Sequence, residues 1–103
     1  MKVLFVCNQN KNRSKTAELL FKEKFETKSA GLFSKCPLSE RQLSWADVVV
    51  VMEDSQRREI SKRFPKQYLL KRILSLGIPD IYRADQPELI SALKKKINVL
   101  AIH

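Results

Sequence analysis

The segment DVVVVM at residues 47–52 constrains the fold more than any other stretch of the chain. Four consecutive valines favour a buried pleated strand, because branched side chains pack well on a covered sheet. Residues 3–6, VLFV, form a second unbroken apolar run. Strands that are apolar at every position are typical of parallel sheets whose two faces are both covered. The two runs therefore predict strands of a parallel sheet flanked by helices.

The segments around these runs alternate between helical and extended patterns, without an internal repeat, low-complexity tract or linker. The periodicity predicts helices at about 14–25, 38–43 and 54–63, and a last one from 85 or 86 to about 101. It also predicts a polar edge strand at 27–30 and a fourth strand at 71–76. Strands that alternate with helices indicate a parallel sheet. We therefore expect one α/β domain over residues 1–103, a three-layer sandwich with four parallel strands.

Residues at the predicted helix ends support these assignments. Ser39 and Gln42 have the spacing of a capping box, in which each side chain bonds the backbone of the other residue. Asp54 is expected to cap the helix after the valine strand, and Pro65 should end that helix. Asp85 is expected to cap the last helix in the same way.

Composition bounds the class of protein and its partners. The chain has 103 residues, 44% of them apolar, which suffices for the core of one small domain. Its formal net charge of +9 favours an anionic partner. Charge alone does not choose among phosphate esters, nucleic acid and acidic membranes.

The termini and cysteines bear on the compartment. Lys2 leads into only four strongly apolar residues before Cys7, which is not the pattern of a signal peptide. No apolar stretch approaches the ~20 residues that span a bilayer. Two cysteines without a secretion signal favour reduced thiols and a cytoplasmic location. His103 is the only histidine, which nearly excludes Cys–His catalysis and leaves too few soft ligands for a zinc site.

The turn from Cys7 to Ser14, CNQNKNRS, follows the first strand directly. In parallel α/β sheets ligands bind beyond the carboxyl ends of the strands. A loop between a strand end and a helix start leaves backbone N–H groups unpaired, and with the helix dipole they form an anion site. Such a site favours the thiolate form of a cysteine. Cys7 is therefore a candidate nucleophile beside a bound oxyanion.

The neighbours of Cys7 suit the same chemistry. Arg13 offers a planar fork that matches two oxygens of a tetrahedral oxyanion. Ser14 is placed to donate a hydrogen bond to the thiolate. Asparagine suits the turn because it tolerates left-handed backbone angles and bonds locally.

These residues resemble the active-site signature of the low-molecular-weight protein tyrosine phosphatases, a Cys followed after five residues by Arg and Ser. Asn10 stands where the signature has Asn, whereas Gln9 and Asn12 replace its usual Gly and second Cys. Further segments resemble the family in the same order: RSKTAELLF, KSAG, WADVVVVM and GIPDIY. The last contains Asp80 at the place of the family's general acid, and Tyr82 two positions later. The chain is shorter than typical members and resembles a compact branch.

The resemblance implies the strand order 2-1-3-4 and hydrolysis of an aryl phosphate monoester, with protein phosphotyrosine as the expected substrate. It implies that Cys7 forms a phosphocysteine intermediate, Arg13 holds the phosphoryl oxygens and Asp80 protonates the leaving group. No metal or organic cofactor is required. The expected partners are a phosphorylated protein or a small aryl phosphate, and oxyanions in the loop, rather than a membrane or nucleic acid.

Substrate contacts are expected from the loop and from one aromatic residue: Asn8, Gln9, Asn10, Lys11, Asn12, Ser14 and Tyr82. Tyr82 could equally pack under the last helix. Asp80 could simply begin a turn after Pro79, and Cys36 could be a redox partner of Cys7 rather than a bystander.

Two other functions stay open at this point. A thiol-dependent arsenate reductase can be built on the same fold, but it needs further thiols, and only Cys36 is at hand. A non-catalytic module that binds anions or nucleic acid would suit the net charge of +9. The chain lacks the interleaved aromatic residues expected of single-strand binders.

Overall fold

The structure is a computed structural model that describes the backbone of residues 1–100 and the side chains of residues 1–98. Its elements, in chain order, are β1 (Lys2–Cys7), α1 (Arg13–Phe21), β2 (Glu26–Gly31), α2 (Glu40–Trp45), β3 (Val48–Val51), α3 (Asp54–Arg63), α4 (Pro65–Leu70), β4 (Arg72–Ser75) and α5 (Pro87–Leu100). The helical spacing expected at Ala101 and the lone His103 lie outside the described residues. No helix in the described part of the chain is long and apolar enough to span a membrane.

The four strands form one parallel sheet in the order β2-β1-β3-β4. β1 lies between β2 and β3, so that Cys7 is opposite Gly31 and Val6 is opposite Val51. The direction in which the chain winds changes between β1 and β3, and the carboxyl ends of these strands are where such a sheet binds ligands. The expected four-stranded order is confirmed.

Helices cover both faces of this sheet, because the side chains of β1 and β3 are apolar in both directions. One core cluster joins alternate strand residues such as Phe5 and Val50 to α1 and α5. The rings of Phe5 and Phe21 stack with 5.9 Å between centroids. The other cluster joins Leu4 and the remaining strand residues to the helices on the opposite face. The expected three-layer sandwich is therefore confirmed.

Several element boundaries differ from the predicted ones. Helix α1 ends at Phe21 rather than near residue 25, because the polar residues that follow turn the chain back into β2. Pro65 ends α3 as predicted but also begins α4, a helix that the sequence did not predict. Proline suits the first turn of a helix, where its missing N–H costs nothing. One proline thus ends one helix and begins another.

Two predicted caps were wrong, and one was right. Ser39 and Gln42 form the predicted capping box of α2. Asp54 is the first residue of α3 rather than its cap, and Glu53 holds the capping position. Asp85 has a left-handed φ of 64° and lies two residues before α5, so it does not cap that helix. Its prediction failed because the chain makes an extra turn before Pro87.

Candidate active site

The loop from Asn8 to Asn12 joins the carboxyl end of β1 to the first residue of α1. Asn10 has a φ of 55°, in the left-handed region that asparagine tolerates. Its N–H donates to the Cys7 sulfur at 3.2 Å. This one residue turns the loop back over the thiol.

The loop that follows Cys7 holds backbone donors without a partner among the described residues. Among the described residues, the backbone N–H groups of Gln9, Lys11 and Asn12 donate to no other group. They lie just ahead of α1, whose N-terminal end carries a partial positive charge. Backbone N–H groups in this position are a ready binding site for an oxyanion.

Gly31 supports the loop from the neighbouring strand. A Cβ atom at Gly31 would lie 2.8 Å from both the Asn10 nitrogen and the Gln9 carbonyl carbon. Leu32 N–H donates to the Cys7 carbonyl at 2.9 Å, and Phe33 N–H donates to the Asn8 carbonyl at 2.8 Å. The loop therefore packs directly against the end of β2, where only a glycine leaves enough room.

Cys7, Ser14 and Asn10 form one chain of polar contacts. The Ser14 hydroxyl oxygen lies 2.9 Å from the Cys7 sulfur and 2.8 Å from Asn10 Oδ1. A hydroxyl has one proton, so while it donates to Asn10 Oδ1 the thiol must donate to Ser14. When the sulfur is a thiolate, Ser14 donates to it, and the Asn10 amide can turn to present its NH₂ to Ser14. The three side chains can therefore serve both protonation states of Cys7.

Arg13 is buried, with only 2% of its side chain exposed. Its Nη1 donates to Glu53 Oε1 at 2.5 Å and to the Ile78 carbonyl at 2.6 Å. Its Nε lies 3.9 Å from Asp80 Oδ1. The Arg13 guanidinium therefore lies near two carboxylates, those of Glu53 and Asp80.

Asp80 reaches the site through the segment after β4. Leu76 N–H donates to the Val51 carbonyl at 3.0 Å, and Ile78 N–H donates to the Met52 carbonyl at 2.7 Å. These bonds carry the chain across the carboxyl end of β3 toward the loop. The Asp80 side chain is 59% exposed and faces Arg13.

Six residues line one cavity of about 80 Å³ at this point: Cys7, Gln9, Lys11, Asn12, Arg13 and Asp80. The structure therefore brings the carboxylate of Asp80, from a distant part of the sequence, to the thiol, lysine and guanidinium of the segment from Cys7 to Arg13. Within the described residues, no group of three or more His, Cys, Asp or Glu side chains could hold a metal ion.

Four of the other predicted substrate contacts are not among the residues that line this cavity: Asn8, Asn10, Ser14 and Tyr82. Tyr82 is half-buried against the core cluster of α1 and α5, and its carbonyl accepts a hydrogen bond from Asn12 Nδ2 at 3.1 Å. Asn8 Oδ1 accepts from Gln56 Nε2 at 3.2 Å, which ties the loop to α3. Cys36 is an exposed free cysteine, whereas Cys7 is a buried one.

Comparison with known proteins gives matches among solved structures. No protein-family model matches the chain, and no curated protein matches it. The tyrosine phosphatase Wzb from Escherichia coli K30, solved with phosphate, is 20% identical with a TM-score of 0.79, over 97% of this chain and 95% of that one. A low-molecular-weight phosphotyrosine phosphatase from Vibrio cholerae O395 is 15% identical with a TM-score of 0.81, over 97% of this chain and 94% of that one.

The chain has the fold of the low-molecular-weight protein tyrosine phosphatases. The resemblance stated from the sequence is confirmed at the level of the fold. A third structure with this fold, the YwlE arginine phosphatase from Geobacillus stearothermophilus, is 23% identical with a TM-score of 0.72. That match covers 96% of this chain and 87% of the other. Proteins with the low-molecular-weight phosphatase fold thus include both tyrosine and arginine phosphatases.

Sequence reasoning missed two residues that this phosphatase fold brings to the loop. Gly31 directly follows the edge strand predicted at 27–30, and a glycine at the carboxyl end of a strand can signal a close backbone approach. No motif in the sequence indicates Glu53. It lies two residues after the end of the buried strand β3, whose carboxyl end lies beside that of β1, and this position was the available signal.

Proposed function

We propose that the chain is a cysteine-dependent hydrolase of aryl phosphate monoesters, with protein phosphotyrosine as its expected substrate. The observation that carries the proposal is that Cys7, Arg13 and Asp80 line one small cavity. Wzb, which shares the fold, has been solved with phosphate and with sulphate, which fits an oxyanion site in this loop. A YwlE variant with Ser in place of Cys carries a phosphorylated active-site serine, which fits attack on phosphorus from this position.

In the first step the Cys7 thiolate attacks phosphorus in line with the departing phenolate. An S–P bond forms, the P–O bond to the aryl group breaks, and the phosphoryl group remains on Cys7. The Ser14 hydroxyl supports the thiolate before the attack, from its position 2.9 Å away.

Charge on the phosphoryl oxygens is held throughout by fixed donors. The loop N–H groups and the guanidinium of Arg13 need no rearrangement as the charge shifts, because the loop is packed against Gly31. Donors that are already oriented stabilise the transition state more than water does.

Asp80 acts in both steps. Its carboxylic acid gives a proton to the phenolate oxygen as the P–O bond breaks. The resulting carboxylate then takes a proton from a water molecule, whose oxygen attacks phosphorus and releases Cys7. The sum of the two steps is an ester and water converted to a phenol and phosphate.

Lys11 bears on the choice of substrate. It is exposed and lines the same cavity as Asp80. The ring of phosphotyrosine is neutral, whereas phosphoarginine places a guanidinium group directly beside the phosphoryl group. Since like charges repel at close range, Lys11 supports an aryl ester over phosphoarginine.

Turnover of para-nitrophenyl phosphate in a metal-free buffer, with vanadate as inhibitor, tests the proposal. We expect turnover by the intact chain, inhibition by vanadate and no turnover by Cys7→Ser. A chain that binds vanadate but hydrolyses no ester would instead be an anion-binding module. Full activity of Cys7→Ser would rule out the thiolate mechanism.

A further inference from the structure

The carboxylate of Glu53 contacts Arg13 from outside the cavity. Its Oε1 accepts a hydrogen bond from Arg13 Nη1 at 2.5 Å, and its side chain is 35% exposed, against 2% for Arg13. Glu53 is not among the residues that line the cavity, whereas Arg13 and Asp80 are. The ion pair therefore joins a residue in the cavity wall to one behind it.

Arg13 has more donors than its two protein partners use, because its guanidinium carries five N–H groups in one plane. The two on Nη1 are occupied by Glu53 and by the Ile78 carbonyl. Within the described residues no hydrogen bond leaves Nε or Nη2. These two nitrogens share one edge of the guanidinium, and an edge of this kind binds two oxygens of an oxyanion.

The position of Asp80 shows which way this edge faces. Asp80 Oδ1 lies 3.9 Å from Arg13 Nε, on the cavity side. The open Nε–Nη2 edge is thus directed to the place where a phosphoryl group would sit, between the thiol and the proposed general acid. The bonds to Nη1 prevent rotation of the guanidinium about its long side chain.

Glu53 is itself held in place, through Gln56. Gln56 Oε1 accepts hydrogen bonds from the backbone N–H groups of Met52 and Glu53, at 2.8 and 2.9 Å. The same amide donates to Asn8 Oδ1 in the loop at 3.2 Å. The start of α3, the loop and Arg13 are therefore linked by side-chain hydrogen bonds.

We propose that Glu53 is a positioning residue, which holds Arg13 by Nη1 so that the Nε–Nη2 edge stays open to the oxyanion. The inference deepens the proposed function and rests on it. It differs from the opposite possibility, in which Glu53 competes with the oxyanion for Arg13. Competition would place the Glu53 carboxylate in the cavity, where it is not found.

Vanadate binding, measured by calorimetric titration alongside para-nitrophenyl phosphate turnover, tests the proposal in three variants. Glu53→Ala removes the acceptor, Glu53→Asp keeps the charge but shortens the side chain by one methylene, and Glu53→Gln keeps the reach and an acceptor oxygen without the charge. We expect Glu53→Ala and Glu53→Asp to weaken vanadate binding about 10- to 100-fold, since a hydrogen bond to a charged group is lost. Glu53→Gln should stay within about threefold of the intact chain.

Asp54→Asn is the matched control. Asp54 is the next carboxylate in the sequence, is exposed and pairs with Arg57 at 3.8 Å rather than with Arg13. Its substitution removes the same charge from the same end of α3 and should leave vanadate binding and turnover unchanged.

Several outcomes would overturn the proposal. Tighter vanadate binding by Glu53→Ala would show that Glu53 competes with the oxyanion, and unchanged binding would show that it has no part in the site. If Glu53→Ala does not fold, the other two variants test the proposal. Weaker vanadate binding by Glu53→Gln together with unchanged binding by Glu53→Asp would show that the charge of Glu53 matters rather than its reach, and would contradict the proposal. An intact chain that binds vanadate without hydrolysing esters would overturn the proposed function. The effect of the Glu53 variants on vanadate binding would still test the positioning role of Glu53. An intact chain that binds no oxyanion would overturn both.

Discussion

The Ser14 hydroxyl oxygen lies 2.9 Å from the Cys7 sulfur, at the first turn of the helix that follows the loop. The contact joins the proposed nucleophile to a donor seven residues later, and Ser14 is fully buried. Because water does not compete for this bond, it is worth more to the thiolate than a bond at the surface.

Ser14→Ala should therefore lower turnover of para-nitrophenyl phosphate about 10- to 100-fold, since a hydrogen bond to a charged group is lost. Ser75→Ala is the control, because Ser75 Oγ is buried without a hydrogen-bond partner among the described residues. It should leave turnover unchanged. It should also raise the free energy of unfolding by about 1–3 kcal/mol, as measured by urea denaturation. Equal effects of the two variants on turnover would contradict the role of Ser14.

Alkylation compares the two thiols of the chain. Cys36 is exposed and Cys7 is buried, so exposure alone would make Cys36 react faster. We expect the reverse with iodoacetate at neutral pH, because the unpaired N–H groups of the loop attract the anionic reagent to Cys7. Phosphate should protect Cys7 and leave Cys36 unaffected, as measured by mass spectrometry of the labelled peptides. Equal labelling that phosphate does not change would mean that no anion site surrounds Cys7.

Gly31→Ala tests how closely the loop packs against β2. The added Cβ would lie 2.8 Å from backbone atoms of Gln9 and Asn10, so the loop must move. Overpacking of this kind costs about 1–3 kcal/mol in the free energy of unfolding. A shift of the loop by about 1 Å can also cost about 100-fold in turnover. The variant Gly77→Ala is informative beside it, because Gly77 has open space around it but a φ of 68°.

We expect Gly77→Ala to lose stability through backbone strain while it keeps most of its turnover. Thermal denaturation and turnover of the same two samples separate the effects. Normal turnover in Gly31→Ala would show that the loop has other room to adjust.

Asp80→Asn tests the general acid through the leaving group. A phenolate whose phenol has a pKa of about 10 leaves poorly without a proton, whereas para-nitrophenolate needs less help. The variant should lose about 10²–10⁴-fold on phenyl phosphate and distinctly less on para-nitrophenyl phosphate. Asp85→Asn is the control, since Asn tolerates the left-handed φ of 64° found there. Equal losses on both substrates would contradict the assignment.

Lys11→Gln tests the proposed preference for aryl esters. Removing the charge from the cavity should raise the ratio of phosphoarginine to phosphotyrosine turnover by about 3- to 10-fold, the size expected of one partly solvated charge. Release of phosphate from two peptides that differ only in the phosphorylated residue measures this ratio. Lys66→Gln, on the exposed surface of α4, is the control. A ratio that does not change would remove Lys11 from the choice of substrate.

The sequence alone determined the local features of the fold and of the loop. Unbroken valines favour a strand covered on both faces, so the parallel sheet with helices on each side was predictable. The short separation of Cys7 from Arg13 predicted a tight loop, and asparagine was expected to suit its left-handed backbone angles, which the structure assigns to Asn10. Each of these features depends on neighbours within a few residues, where conformational preference acts directly.

Only the tertiary structure decided which distant residues reach that loop. Glu53 contacts Arg13 across 40 positions, and Ile78 does so across 65. Gly31 meets the loop because β2 pairs with β1 in one register, which places it opposite Cys7. Such contacts depend on strand order, register and the reach of a single side chain, and a one-residue slip in pairing would move them all. Local preference carries no information about these quantities, which is why the contacts of Glu53 with Arg13 and of Gly31 with the loop were established only in the folded chain.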